Sequence, residues 1–157
     1  MIKHEEAFKS MHFGMNTVMT HWAFGRYAAE SLKAVCKEAE RLEKKLSRFI
    51  PSSEISRINK SAGMRSERLG GDTYEVLSRA VEFSICSQGL FDVTIGPLVS
   101  LWSNSRGSMK PPEDLSIRRV LPLVDYTGLQ LDPYKKASGL QKEGQSIDLG
   151  GIGKGFA

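Results

Sequence analysis

GLFDVTIGPLVSLW, Gly89 to Trp102, sets an acid, a hydroxyl and a Gly-Pro pair inside an apolar series. Phe91, Val93 and Ile95 alternate with Asp92 and Thr94, the period of a strand whose two faces meet different surroundings. Two settings satisfy that pattern. Asp92 and Thr94 lie on a solvated sheet edge, or they face a ligand cleft while their apolar neighbours anchor the strand. Gly96-Pro97 is expected to end the strand and turn the chain toward Leu101-Trp102.

Upstream, a helix is predicted to begin at Asp72, with Glu75 three positions on as in a capping box. Tyr74, Leu77, Ala80, Val81 and Ile85 form its apolar face, and Gly89 its C-cap. In PSSEISRIN, Pro51 stops the preceding element and Ser52 or Ser53 caps a short new turn. There Glu54 and Arg57 read as a solvated i,i+3 pair and Asn59 as a C-cap. The clearest helix is RYAAESLKAVCKEAERLEKKLS, residues 26–47, where Ala28, Leu32, Val35, Cys36, Ala39, Leu42 and Leu46 recur at helical spacing. Before it, FGMNTVMTHWAFG, residues 13–25, reads as one strand, with Met15, Met19 and Trp22 in the core unless a flat aromatic ligand binds there.

Downstream, SNSRGSMKPPEDLS, residues 103–116, reads as a polar surface loop. A helix over Ser116 to Leu123 then leads to short strands at GLQLD and SIDLG, and GGIGKGFA is a glycine-rich turn entering a helix. Strict βαβ alternation is missing. The fold class is therefore α+β, a mixed or antiparallel sheet with packed helices. Ala157 stands barely inside the last helix, so truncation is expected.

The 157 residues are 40% hydrophobic and 25% charged, enough for one core, and the net charge of +4 is spread over scattered lysines and arginines. A basic tract with interleaved aromatics is lacking, so nucleic acid is not the expected partner; the mild positive field suits a phosphate-bearing small ligand. Cys36 and Cys86 sit at apolar helix positions and read as buried free thiols. Two cysteines without CxxC and three histidines carry no zinc signature in their spacing. MIKHEEAFKSMHFG has neither an apolar signal core nor a lipobox cysteine, which leaves the localisation of the parent protein open.

Glycines 150, 151, 153 and 155 let backbone come close to a ligand. Neither a Walker A loop nor a Rossmann fingerprint fits them, because Lys154 is followed by Gly155 and a βαβ unit is wanting. Such a run is equally a plain tight turn. Lys154 favours a phosphate, and Asp148 suits a ribityl or adenine hydrogen bond or the neighbourhood of a metal.

Taken in order, LSRFIPSSEISRIN, GLFDVTIGPLVSLW and IDLGGIGKGFA resemble the FAD:protein FMN transferases, the ApbE family once called thiamine biosynthesis lipoproteins. That family's pattern runs Met-Gly-Thr, Leu-Ser-x-Phe/Tyr with Ser-Glu-Ile-Ser-x-Leu-Asn, Gly-x-Phe-Asp-x-Thr-x-Gly-Pro-Leu with Leu-Trp, and Asp-Leu-Gly-Gly-Ile-Ala-Lys-Gly. The likeness runs from Met15 to Ala157. It implies an ApbE-like fold of which residues 1–157 are the N-terminal portion. It also implies an enzyme that binds FAD, uses Mg²⁺ and passes FMN to a Thr or Ser hydroxyl of an acceptor flavoprotein. By position, Met15, Phe49, Leu90, Phe91, Asp92, Asp148 and Lys154 would contact FAD, and the Gly151 carbonyl would face Mg²⁺. Asn16 departs from the family's Gly and Gly153 from its Ala. The remaining Mg²⁺ ligands of the family lie in segments that do not follow Ala157 here, so the chain by itself is expected to be inactive. The alternatives from other classes are a non-catalytic flavin-nucleotide-binding module and a structural module that self-associates through a bare face.

Overall fold

A computed structural model describes residues 7–105 and 110–157. It comprises two compact units, Met1–Lys44 with Ala157, and Lys45–Phe156.

In the first unit, β1 (Ala7–Gly14) and β2 (Thr17–Phe24) form an antiparallel hairpin whose register closes at Gly14↔Thr17. The stretch read as one strand is therefore parts of two, reversed at Met15-Asn16. Both turn residues have positive φ, 49° and 60°, as the commonest two-residue hairpin turn requires. Asn tolerates that region nearly as Gly does, which accounts for Asn16 where the family pattern has Gly. Met15 does not, and its backbone N–H donates to Glu43 Oε1 at 2.9 Å. Helix α1, Ala28–Leu46, follows the predicted helix closely and buries Ala28, Leu32, Ala39, Leu42 and Leu46. Cys36 is half-buried, not fully buried. Trp22 is exposed on the outer face of the hairpin, with Lys9 Nζ 5.2 Å above its ring, and is not a core residue.

The second unit is built around the antiparallel sheet β3-β5-β4, formed by Glu67–Arg68, Ala137–Leu140 and Leu129–Asp132. Helix α2 (Glu54–Lys60) packs on β5 and β3, and α3 (Gly71–Cys86) packs on β4. Ile55, Ile58, Val76, Leu77, Ala80, Val93 and Ile147 make the core between them. Ser53 caps α2, its Oγ accepting from Ser56 N at 2.9 Å.

Long-range pairing overrides several local expectations. Asn59 is no C-cap: its amide donates to Ile147 O (3.0 Å) and accepts from Ile147 N (2.7 Å), 88 residues away. Glu54 is not paired with Arg57; it accepts from Gly70 N at 2.8 Å, the N-cap of α3. The capping box at Asp72 is not formed because α3 starts earlier, with Gly70 as its N-cap; Asp72 lies inside the first turn and pairs with Lys45 Nζ at 2.7 Å. The buried stripe of α3 is Thr73, Val76, Leu77, Ala80 and Ser84, which leaves Ile85 and Cys86 exposed. After the C-cap Ser87, Gln88 takes the left-handed turn at φ 55°. Gly89 N then donates to Ser84 O at 2.8 Å, a Schellman closure shifted by one residue from the predicted cap.

FDVTIGP is not a strand. Asp92 Oδ1 accepts from Thr94 N (2.7 Å) and Thr94 Oγ1 (2.6 Å), so the carboxylate takes the donor that a ladder would need. One parallel bridge remains, Ile95↔Ser146. Gly96-Pro97 does not break an element; it opens α4, Gly96–Ser105, where proline's missing N–H costs nothing. SIDLG is likewise no regular strand: beyond that bridge, its backbone is held by Asn59 at Ile147 and by a bond from Asp148 N to Val93 O at 2.8 Å. Of the expected loop 103–116, Ser103–Ser105 close α4 and Asp114 opens α5 (Asp114–Val120), while 106–109 lie outside the described residues. Single 3₁₀ turns follow at Leu121–Leu123 and Tyr126–Gly128. The glycine-rich turn enters α6, Gly153–Phe156, as predicted. Among the described residues, no helix is long and apolar enough to cross a membrane.

Candidate functional site

Two stretches far apart in sequence meet in the second unit. The loop Leu90–Ile95 and the turn Leu149–Gly153 are joined through Asp148 N and Val93 O. A Cβ on Gly151 would stand 3.2 Å from the ring of Phe91, so glycine lets the turn lie flat on that ring. Phe83 supports the same ring edge-on, with centroids 6.2 Å apart.

Asp148 is held from both sides. Its Oδ2 accepts from Arg48 Nη1 at 2.8 Å, and its Oδ1 accepts from Gly150 N at 2.8 Å. Arg48 also donates to Gly96 O at 3.3 Å and to Ser100 Oγ, so one guanidinium ties the glycine-rich turn to the start of α4. Its charge lies 5.5 Å from the Phe49 ring centroid. Sequence reading missed Arg48, because 100 residues separate it from Asp148. The usable signal was an arginine immediately before the motif aromatic.

Asp92 is engaged internally: besides Thr94, its Oδ2 accepts from Tyr126 N at 2.9 Å. It shapes the loop, and Phe91 and the exposed Leu90 project from that shape. Phe49 is 72% exposed and Leu90 94%, leaving large apolar surfaces in water. Lys154 is exposed on α6. The structure therefore brings Phe91, Asp148 and Gly151 together, turns Asp92 to Thr94 and Tyr126, and carries Phe49 beside Arg48. Met15 belongs to the first unit, in the hairpin turn.

A second layer supports the loop. Thr94 Oγ1 accepts from Asp125 N at 2.7 Å, and the buried Gln145 donates to Leu123 O and Asp125 O at 3.3 and 3.2 Å. Hydrogen bonds from Thr127, then Lys142, hold Asp125 below its ordinary carboxylate pKa. At the sheet edge, the Ser61 hydroxyl and then Arg65 do the same for Glu67, against a burial penalty that raises it. Groups with lowered native pKa stabilise the fold above their unfolded values, and that contribution is lost as pH falls through the native ones. Stability is expected to decline on acidification below about pH 4.5, where the unfolded carboxylates begin to take protons. Urea titrations between pH 3 and 6 check this, with Asp125→Asn and Glu67→Gln each reducing the slope.

Mg²⁺ at the Gly151 carbonyl needs further oxygen ligands near octahedral geometry. The nearby Asp148 carboxylate is committed to Arg48 and Gly150, and no set of three acidic, His or Cys donor atoms converges at Gly151 among the described residues. Among the described residues, the donors present do not make a Mg²⁺ site.

The model of the ApbE family matches residues 14–157. The FAD:protein FMN transferase of Haemophilus influenzae is 31% identical over 134 residues, covering 81% of this chain and 37% of that protein. Its counterpart in Chlamydia muridarum is 32% identical over 108 residues, covering 68% and 34%. In three dimensions the ApbE protein of Thermotoga maritima superposes with a TM-score of 0.88 at 23% identity, over 96% of this chain and 50% of that one. Flavin transferase ApbE from Vibrio cholerae does so with a TM-score of 0.84 at 20% identity, over 97% and 50%. The chain thus spans half or less of the length of these proteins, and the structural likeness establishes the fold.

Proposed function

The chain belongs to the ApbE family, and on that footing we propose that it is the flavin-nucleotide-binding portion of an FAD:protein FMN transferase. In the proposed reaction the oxygen of an acceptor Thr or Ser attacks the FMN phosphorus of FAD. The pyrophosphate bond to the AMP phosphate breaks, AMP leaves, and the hydroxyl proton passes to a base. The metal expected of the complete enzyme is Mg²⁺, and its further ligands would come from outside these residues.

The observation that carries the reading is the junction of the Leu90–Ile95 loop with the glycine-rich turn. Gly151 on Phe91 leaves a shallow platform, and the exposed Leu90 and Phe49 offer apolar cover for a flat ring system. Lys154 supplies the positive charge for a phosphate, and backbone around Gly150 and Gly151 can approach closely. Asp148 serves through Arg48, by holding the turn in place.

Fluorescence titration of FAD with this chain tests the reading. Saturable quenching is expected, and Lys154→Ala should weaken binding by about 10- to 100-fold, the worth of one charge-assisted hydrogen bond. An unchanged affinity would remove Lys154 from the site, and absence of saturable binding would defeat the proposal. Transfer itself is not expected from the isolated chain. FMN-labelled acceptor, after incubation with FAD and Mg²⁺, would contradict that.

A second property follows from the hairpin. Met11, Phe13, Val18, Trp22 and Phe24 line its outer face and are all exposed. We propose that this face, interrupted only by Lys9 and Thr20, pairs with a second copy of the isolated chain, since exposed apolar side chains gathered on one face drive association. Light scattering should show a dimer that Phe13→Lys with Trp22→Lys returns to monomer. A monomeric unsubstituted chain would refute the pairing.

A further inference from the structure

Within the first unit, the Met15-Asn16 turn sets the register Ser10↔His21 and His12↔Met19. Residues two apart on a strand share a face, so Ser10, His12, Met19 and His21 line one side of the hairpin. Cys36 of α1 meets that side, its Sγ 3.3 Å from His12 Nδ1 and 3.5 Å from Ser10 Oγ. The two imidazoles stack, centroids 5.2 Å apart and planes within 18°. One donor atom from each of His12, His21 and Cys36 lies within 4.8 Å of the others, and all three residues are half-buried. The Nε2 atoms of both histidines are buried without a hydrogen-bond partner, which is costly for a polar atom.

We propose that His12, His21 and Cys36 form a site for a borderline divalent cation of the zinc type, with a fourth position for water. Tetrahedral Zn²⁺ with nitrogen and thiolate ligands holds its donors roughly 3.3–3.8 Å apart; Cys36 Sγ and His12 Nδ1 are already 3.3 Å apart, and closing the remaining separations, at most 4.8 Å, takes small side-chain shifts. Two imidazoles and one thiolate are too soft a set for Mg²⁺ or Ca²⁺. On binding, the Cys36 thiol releases its proton to solvent and each histidine gives a ring lone pair to the ion. A cleft of about 770 Å³, lined by Ser10, Leu32, Lys33, Cys36 and Lys37 among others, opens beside the thiol and admits ion and water. Lys9, Lys33 and Lys37 on its wall outnumber the one acid there, Glu40, so the wall offers a cation no net attraction, and the affinity comes from the nitrogen and sulfur bonds. Spacing in sequence hides the site, because His12 and His21 meet only once the hairpin turn is known.

The test is titration of the metal-free chain with Co²⁺, a spectroscopic stand-in for Zn²⁺. Saturation at one ion per chain is expected, with thiolate-to-cobalt charge transfer in the near ultraviolet that added Zn²⁺ abolishes. Cys36→Ser should eliminate the charge transfer. His21→Gln should weaken binding at least about tenfold, since one of three protein donors is lost. Cys86→Ser should change nothing, its thiol being exposed on α3. If Cys36→Ser does not fold, alkylation of the unsubstituted chain decides: Zn²⁺ should slow iodoacetamide at Cys36 at least about tenfold and leave Cys86 unaffected. No charge transfer with Co²⁺, or equal alkylation with and without Zn²⁺, would leave only a hydrogen-bonded Cys–His contact and overturn the proposal.

Discussion

Arg48→Ala is expected to destabilise the chain by about 3 kcal/mol, lowering the melting temperature by roughly 6–12 °C. Arg48 and Asp148 are only 14% and 16% exposed at their side chains, so removing the guanidinium strands a carboxylate that water reaches poorly. Breaking a fully buried pair costs about 3–5 kcal/mol; the residual exposure and the bond from Gly150 N place this case at the lower end. Gly96 O and Ser100 Oγ lose a donor at the same time. Arg48→Lys should recover part of the loss, because an ammonium matches the charge but cannot span three acceptors with a planar fork. Differential scanning calorimetry of the three proteins reads this directly. A loss under about 1 kcal/mol for Arg48→Ala would mean that the pair behaves as a surface ion pair.

Gly96→Ala is expected to cost a similar amount, about 3 kcal/mol, for a different reason. A methyl group there would run into the Ser146 carbonyl and hydroxyl, and the neighbour in the way is backbone. Relief requires separating the two segments, which breaks the Gly96 N to Ser146 O bond (3.0 Å) and with it the Ile95↔Ser146 bridge. The two substitutions share a partner, since Gly96 O accepts from Arg48. Urea midpoints of the double variant should therefore show a loss smaller than the sum of the single ones. Strict additivity would show that Arg48 and Gly96 do not act through one contact.

What the sequence disclosed and what it hid divide along range. Helix α1 was legible because its apolar residues recur at helical spacing over five turns, and Ser53 was legible as a cap because the bond it makes is local. The glycine-rich turn and the ordered motifs were legible as well, which is why the family could be recognised. Residues 91–95 were misread because alternation of polar and apolar side chains also arises in a turn whose acid captures its own neighbours' donors, as Asp92 does. Asn59 and Glu54 were misread as local because both look like ordinary helix residues until Ile147 and Gly70 are brought to them. The hairpin was hidden by its turn: Met-Asn is a poor signal for positive φ at two successive residues. Of the candidate site, the turn and the aromatic were visible, but not Arg48, Asp125 and Gln145, which hold the loop in shape.

Binding of FAD on the platform formed by the Leu90–Ile95 loop and the glycine-rich turn is the central claim, and hydrogen exchange with and without FAD tests it most directly. Slowed amide exchange is expected at residues 89–92 and 149–155, with the far edge of the sheet at β3 unchanged. FAD that leaves both segments exchanging at their free rates, or protects other segments instead, would contradict the account.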